Sequence, residues 1–382
     1  MDSQRRKILR STLALSAGSL VGQTTLAGGL GSSAPPTGLR RIAIEEAFAT
    51  PELFEQWQTV LADPASHEPG FKALYRPFLN SPATRPIRDR LLDLGELRLN
   101  DMKNAGVDFQ VLSITAPGLQ VFSPAKATSF AQKTNDRLAE VVQEHPQRFA
   151  GLAAVAPQAP GQAARELERA ITSLGLKGAI INSHTQGRYL DDKYYRVIFE
   201  TAQALDVPIY LHPRTPSPDM MAPYSNYGLE GAGWGFAAET SLHAMRLILS
   251  GLFDELPRLK IILGHLGEGL PFWLSRIDSR FANKTWTDLD SSGSLRRLKK
   301  APSEYIRDNF YIATSGMHWH PVLMFAHSVI GADRLLFAAD YPYESSAEAV
   351  RQLDSAPMSD KDKKKIYQTN AESLLKLSTS IS

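Results

Sequence analysis

The fold that the sequence predicts is a (β/α)8 TIM barrel, and three observations predict it. Eight short runs rich in Val, Ile, Leu and Ala alternate with longer stretches of helical periodicity. Most of those runs are apolar almost throughout, as strands covered on both faces must be. The chain has 382 residues, and an α/β barrel takes ~250 residues or more as one unit. An open doubly wound sheet shows the same alternation, but it often carries a Gly-rich phosphate loop after its first strand, and none follows here.

In chain order the runs are Leu39–Phe48, Val107–Thr115, Phe149–Ala156, Leu176–His184, Val207–Pro213, Leu259–Gly267, Asn309–Gly316 and Leu335–Pro342. Amphipathic stretches between them include Ile87–Ala105, Gly161–Leu174, Asp192–Leu205 and Glu239–Leu256. Stop signals precede several strands: Ala105-Gly106-Val107, Leu174-Gly175-Leu176, Asp206-Val207-Pro208 and Leu256-Pro257-Arg258. Two insertions break the rhythm, Pro51–Pro86 after strand 1 and Arg214–Gly235 after strand 5. Both leave the C-terminal end of a strand, the active-site face of a barrel, so they read as pocket walls or lids. Ser359–Leu377 reads as a closing helix, which makes residues 39–382 one barrel domain.

Residues 1–38 read differently. Arg5-Arg6-Lys7-Ile8-Leu9 precedes a weakly apolar run, Ser11–Leu30, and Thr25-Leu26-Ala27 offers a small-x-Ala cleavage site. The pattern resembles a twin-arginine export signal, which places the mature protein in the periplasm or outside the cell, or in the cytoplasm if the signal does not function. The run is too broken by Gly, Gln and Thr for a stable membrane span. A net charge of +2, from 42 basic against 40 acidic residues, argues against nucleic acid as the partner. With 0 cysteines there is no disulfide framework, thiolate metal site or thiol nucleophile, so His, Asp and Glu must carry any metal or acid–base chemistry.

Those residues fall at strand ends. Glu45 and Glu46 lie late in run 1, His184 ends run 4, and His212, His265 and Asp340 lie near the ends of runs 5, 6 and 8. One such residue is ordinarily a cap or a hydrogen-bonded core group. Their recurrence at the same end of different strands points instead to one shared site. Strands 1, 5 and 8 converge at one mouth, where Glu45, His212 and Asp340 can surround one divalent cation. His265 with Glu268, in His265-Leu266-Gly267-Glu268-Gly269, suits an acid/base and its orienting carboxylate, or a Gly-lined loop whose Glu caps the next helix.

At these residues a family resemblance becomes clear. Leu39–Thr50, with its Ile44-Glu45-Glu46-Ala47 core, resembles the opening of the metal-dependent decarboxylases of the amidohydrolase superfamily (amidohydrolase 2). Ile181–Asp191, Leu211-His212-Pro213, His265–Arg276 and Asp340-Tyr341-Pro342-Tyr343 agree with it. Arg90–Glu96 and Asn182–Leu190 lean toward the 5-carboxyvanillate decarboxylases, and γ-resorcylate and 2,3-dihydroxybenzoate decarboxylases are also similar. The resemblance implies a carboxy-lyase acting on an ortho-hydroxybenzoate-type aromatic acid without oxidation, with Asp340 protonating the ring carbon before CO₂ leaves. It implies Glu45, His212 and Asp340 as ligands of one catalytic metal, and His265 and Glu268 as proton handlers. It further implies Arg85, Arg276, Phe236 and His184 around the substrate, with Arg276 reaching across a homodimer or homotetramer.

Many relatives carry Glu-x-His in strand 1, where this chain has Ala47. Two carboxylates with one imidazole favour Mn²⁺ or Mg²⁺, and remain compatible with Zn²⁺. The absence of Lys at the end of run 4 argues against a carbamylated-lysine two-metal centre. The same donors also serve metal-dependent hydrolysis of an ester, lactone or amide. A non-catalytic binder of aromatic acids is a third reading, against which the full set of acid, base and ligand candidates stands.

Overall fold

The structure, a computed structural model, describes residues 39–282 and 298–378. The expected export signal and its Thr25–Ala27 cleavage site lie outside the described residues. The described strands are β1 Ile42–Phe48, β2 Phe109–Ile114, β3 Phe149–Gly151, β4 Ala153–Ala154, β5 Ala179–Asn182, β6 Ile209–His212, β7 Ile261–Leu263, β8 Phe310–Ala313 and β9 Leu335–Leu336. Each falls within an expected run, and every pairing is parallel.

β1–β2–β3 form one sheet and β4 through β9 another. Both seams are bridged by backbone hydrogen bonds. At one, Leu152 N–H donates to Leu112 O (2.9 Å) and Ala153 N–H to Gly178 O (2.8 Å), so β3 and β4 are one run interrupted at Leu152. At the other, Ile44 N–H donates to Phe337 O (3.1 Å), Asp340 N–H to Glu45 O (3.2 Å) and Ala47 N–H to Tyr341 O (2.7 Å). The last run therefore returns to the first, as in a (β/α)8 barrel. The barrel wall is buried on both faces, which accounts for the near-continuous apolar runs.

Two differences from the sequence reading matter for the site. The stretch 87–105 is not one helix but two, Arg85–Leu92 and Glu96–Ala105. Asp93 breaks it, because its Oδ1 accepts from Gly95 N–H (3.1 Å) and Arg98 N–H (2.9 Å), the way an N-cap satisfies a new helix start. The first insertion is itself helical, with Pro51–Ala62 and Pro69–Asn80 packing an aromatic cluster over the barrel mouth. Trp57 meets Phe71 and Tyr75 edge-on, with ring centroids 5.7 and 4.9 Å apart, and Tyr75 OH donates to Ala116 O. The closing segment runs helical through Asp360–Lys364 and Asn370–Leu375, joined by a π turn at Lys365–Thr369.

Candidate functional site

Glu45 sits in β1 where the pairing register to β2 shifts, between Ala43 and Glu46. Its side chain is 3% exposed. One carboxylate oxygen, Oε2, accepts from the hydroxyls of Tyr210 and Ser315. Tyr210 lies two residues before His212 on β6, so the two side chains share a face. Space for this packing comes from Gly264, where a Cβ would lie 2.8 Å from Glu45 Oε2. The other oxygen, Oε1, is buried and makes no hydrogen bond. It faces His212 Nε2 at 3.2 Å and His265 Nε2 at 3.8 Å. His265 Nε2 in turn lies 3.5 Å from Asp340 Oδ2.

Both imidazoles have Nδ1 committed elsewhere, so Nε2 points inward on each. His212 Nδ1–H donates to Pro213 O (2.8 Å), and His265 Nδ1–H donates to Glu268 Oε1 (2.7 Å). The second pair exists because the chain from His265 to Gly269 runs left-handed, with φ of 50°, 51°, 84°, 54° and 79°. Asp340 is also left-handed, at φ 70°. A non-glycine residue in that region costs roughly 1–2 kcal/mol, and such residues persist where tertiary contacts over-determine them. Here Ser315 Oγ accepts from His265 N–H (3.0 Å), and Asp340 N–H is held by Glu45 O.

Electrostatics sort the groups. Burial pushes the Glu45 carboxyl up, but His265, His212 and the Ser315 hydroxyl outweigh it and hold it down at about 2. Burial pulls the His265 imidazole down, but the Glu268 and Glu45 carboxylates and Asp340 outweigh it and hold it well above its ordinary value. Burial pushes Asp340 up against the opposing His265 hydrogen bond, and it raises Glu268 as well. Glu46 points to the other side of β1. There it accepts from Ala339 N–H (2.9 Å) and from the Gln110 amide (3.2 Å), and burial pushes it up to about 8.

With His212 Nδ1–H committed to Pro213 O, the Nε2 lone pair faces the bare Glu45 Oε1 at 3.2 Å, a contact that a cation between them would relieve. Glu45, His265 and Asp340 each offer one ligand atom within 4.8 Å of the others. His212 approaches the same Glu45 oxygen. The donor set of carboxylates and imidazole therefore fits a divalent ion.

These groups form one end of a cavity of about 220 Å³. Its walls are largely apolar. Leu74, Tyr75 and Phe78 come from the first insertion, Ile87 from the helix after it, and Ala232 and Phe236 from the second insertion and the helix that follows. Both insertions thus wall the pocket as expected, and Phe236 lines it. Ala47, in place of a third imidazole, also faces the cavity. Thr115 and Tyr343 line it as a hydroxyl pair 2.6 Å apart, beside Glu344.

Three expected residues are not in this chain's cavity. His184 is fully buried away from it: Nε2–H donates to Thr215 O (3.1 Å), and Nδ1 accepts from Gly187 N–H (3.1 Å). Ser183, at φ 44°, turns the chain just before it, and His184 becomes a bolt between loops rather than a substrate contact. Arg85 opens the helix Arg85–Leu92 and points outward, its side chain 75% exposed and paired with Asp89 at 3.5 Å. Arg276 is exposed on the helix Leu270–Ala282. Conversely, sequence reasoning missed Tyr210, Ser315, Thr115 and Tyr343. Tyr210 had a signal, since a polar-tipped side chain two residues before a strand-end His shares its face. Ser315 had none, as its role depends on where β8 lies relative to β1.

Tyr210 and Ser315 fix Glu45 so that Oε1 faces inward, and partners of this kind typically account for 10–100-fold in metal affinity. Tyr210→Phe is expected to weaken Mn²⁺ binding about tenfold, measured by titration against the free-ion EPR signal of Mn²⁺. Unchanged affinity would show that Glu45 is oriented by other means.

The chain is similar to known proteins over most of its length. Residues 82–377 match the Amidohydrolase family. The γ-resorcylate decarboxylase of Polaromonas sp. is 40% identical over 350 residues, covering 88% of this chain and 98% of that one. Among solved structures, 5-carboxyvanillate decarboxylase from Novosphingobium aromaticivorans, complexed with manganese and 4-hydroxy-3-methoxy-5-nitrobenzoic acid, superposes with a TM-score of 0.86. It is 41% identical, with 90% of this chain and 97% of that one covered. The 2,6-dihydroxybenzoate decarboxylase from Rhizobium gives a TM-score of 0.77 at 37% identity, with 89% and 99% covered. With the family matched over most of its length and the barrel and strand-end constellation in place, the chain belongs to the amidohydrolase family.

Proposed function

We propose that the protein is a divalent-metal-dependent, non-oxidative decarboxylase of ortho-hydroxybenzoate-type aromatic acids. The observation that carries this reading is the bare, buried Oε1 of Glu45, facing two imidazoles at the end of an apolar cavity of ring size. Glu45, His212 and Asp340 are assigned as ligands. His212 suits ligation because its Nδ1–H meets only a peptide carbonyl. His265 suits proton handling because the buried Glu268 carboxylate holds a proton on it. Mn²⁺ or Mg²⁺ is favoured by the carboxylate-rich set. Held by these residues, the cation would supply Lewis-acid chemistry that takes up negative charge developing on the substrate.

The protein groups do the rest. The aromatic walls hold the ring and exclude water. Asp340, raised by burial, delivers a proton to the ring carbon bearing the carboxylate, which breaks aromaticity. The C–C bond then cleaves, CO₂ departs, and the bonding pair restores the aromatic ring. His265 Nε2, 3.5 Å from Asp340 Oδ2, returns the proton for the next cycle.

Hydrolysis of an ester, lactone or amide uses the same donors. Relatives that match along nearly their whole length act as hydroxybenzoate decarboxylases, and they favour the first reading. Candidate substrates are 5-carboxyvanillate, γ-resorcylate and 2,3-dihydroxybenzoate. With Mn²⁺, at least one is expected to release CO₂, and Asp340→Asn is expected to lower kcat by about 10²–10⁴. Ester hydrolysis without CO₂ release would replace this function with the alternative.

Arg276 is assigned to the site of a second copy in a homodimer or homotetramer. Its exposure and its absence from this chain's own described cavity lining support that. Arg276→Ala and Asp340→Asn, each crippled alone, are expected to regain activity when mixed and allowed to exchange subunits. No recovery would keep each site within one chain.

Export by the twin-arginine route is assigned from Arg5-Arg6 and the Ser11–Leu30 run. Among the described residues, no helix is long and apolar enough to cross a membrane. Replacing Arg5 and Arg6 with Lys is expected to retain the protein in the cytoplasm on cell fractionation. Unchanged distribution would remove the assignment.

A further inference from the structure

Glu45 and Asp340 are brought together across the β1 seam on irregular backbone. Glu45 lies at a register shift and Asp340 at φ 70°. Backbone hydrogen bonds tie the two segments, Asp340 N–H to Glu45 O (3.2 Å) among them, and side chains brace the irregular backbone on either side. Behind the seam lies Arg98, on the helix Glu96–Ala105 and fully buried. Its Nη2 donates to Ala47 O (2.6 Å) and Arg90 O (3.1 Å), and its Nε donates to Asp93 O (2.9 Å). Nη1 donates to Gln110 Oε1 (3.2 Å). The guanidinium lies 4.6 Å from the centroid of the Tyr341 ring.

The arms of this fork end on both sides of the seam. Ala47 is two residues past Glu45, and Tyr341 is one residue past Asp340. A third arm runs through Gln110, whose amide donates to Glu46 Oε2 (3.2 Å), while Glu46 Oε1 accepts from Ala339 N–H (2.9 Å), one residue before Asp340. Only a planar group with several fixed donors and a stackable face can make all of these contacts, and lysine cannot. We propose that Arg98 is a positioning residue that fixes the spacing of Glu45 and Asp340 for the cation, gripping both chain segments from behind the barrel wall.

The proposal rests on Glu45 and Asp340 holding the cation, but not on which substrate is decarboxylated. Its test therefore reads metal binding without substrate. In the full-length protein, Arg98→Met is expected to weaken Mn²⁺ binding tenfold or more, by EPR titration, with a broadened spectrum of the bound ion. At saturating Mn²⁺, kcat falls while KM changes little. Arg41→Met is the control, since it removes a part-buried arginine, paired with Asp354 at 2.9 Å, that lies just before the start of β1. It is expected to lower Tm and leave the Mn²⁺ Kd unchanged, as a merely structural role would.

Arg98→Met with a Kd within twofold of wild type overturns the proposal. Should that variant not fold, Gln110→Leu, which cuts only the arm to Glu46, decides in the same way. Weaker binding supports positioning, and a Kd within twofold of wild type overturns it. Wild-type protein that binds Mn²⁺ but releases no CO₂ from any of the three candidate substrates would count against the decarboxylase reading, separately from this one.

Discussion

The site depends on one carboxylate. Glu45 is almost completely buried, and its two oxygens face different worlds. Oε2 is occupied by the Tyr210 and Ser315 hydroxyls, and Oε1 is left bare toward His212 and His265. Burying an ionised carboxylate without compensation is expensive. The protein compensates on one side with hydroxyl donors and on the other with imidazoles that carry or admit positive charge. A divalent cation would complete that second side, and the carboxylate's low proton affinity leaves the oxygen open to one.

Strain is concentrated where this carboxylate meets its partners. His265 through Glu268 and Asp340 all adopt left-handed backbone at strand ends, away from the regular ladder. That turn lets His265 Nδ1 reach Glu268 while Nε2 remains beside Asp340. Tertiary hydrogen bonds, from His265 N–H to Ser315 Oγ and from Asp340 N–H to Glu45 O, hold conformations that a free peptide would abandon.

The apolar wall gives these charges their strength. Leu74, Tyr75 and Phe78 from the helical insertion, together with Phe236, line a cavity of about 220 Å³ beside the charged end. Excluding water raises the value of every fixed charge at the polar end. It also explains why the carboxyl of Asp340 is raised while Glu45, a few ångströms away, is lowered. Burial and the neighbouring Glu45 carboxylate raise Asp340 against the pull of His265 and His212, whereas at Glu45 the two imidazoles and the Ser315 hydroxyl outweigh burial.

By itself, the sequence determined the barrel, the strand runs, the insertions that wall the pocket, and the strand-end positions of Glu45, His212, His265 and Asp340. All of these are local: apolar runs of strand length, Gly and Pro stops, and side chains that alternate along a strand. Direction and long-range pairing were not local, and only the tertiary structure decided them. Ser183 turns so that His184 bolts two loops instead of lining the cavity. Asp93 splits one expected helix in two and so delivers Arg98 behind the seam. Arg85 swings to Asp89 at the surface, while Ile87 on the same helix faces the cavity. Ser315 reaches a carboxylate 270 residues away in sequence. Each of these outcomes turns on which backbone the neighbouring element presents, and that is set only once the barrel has closed.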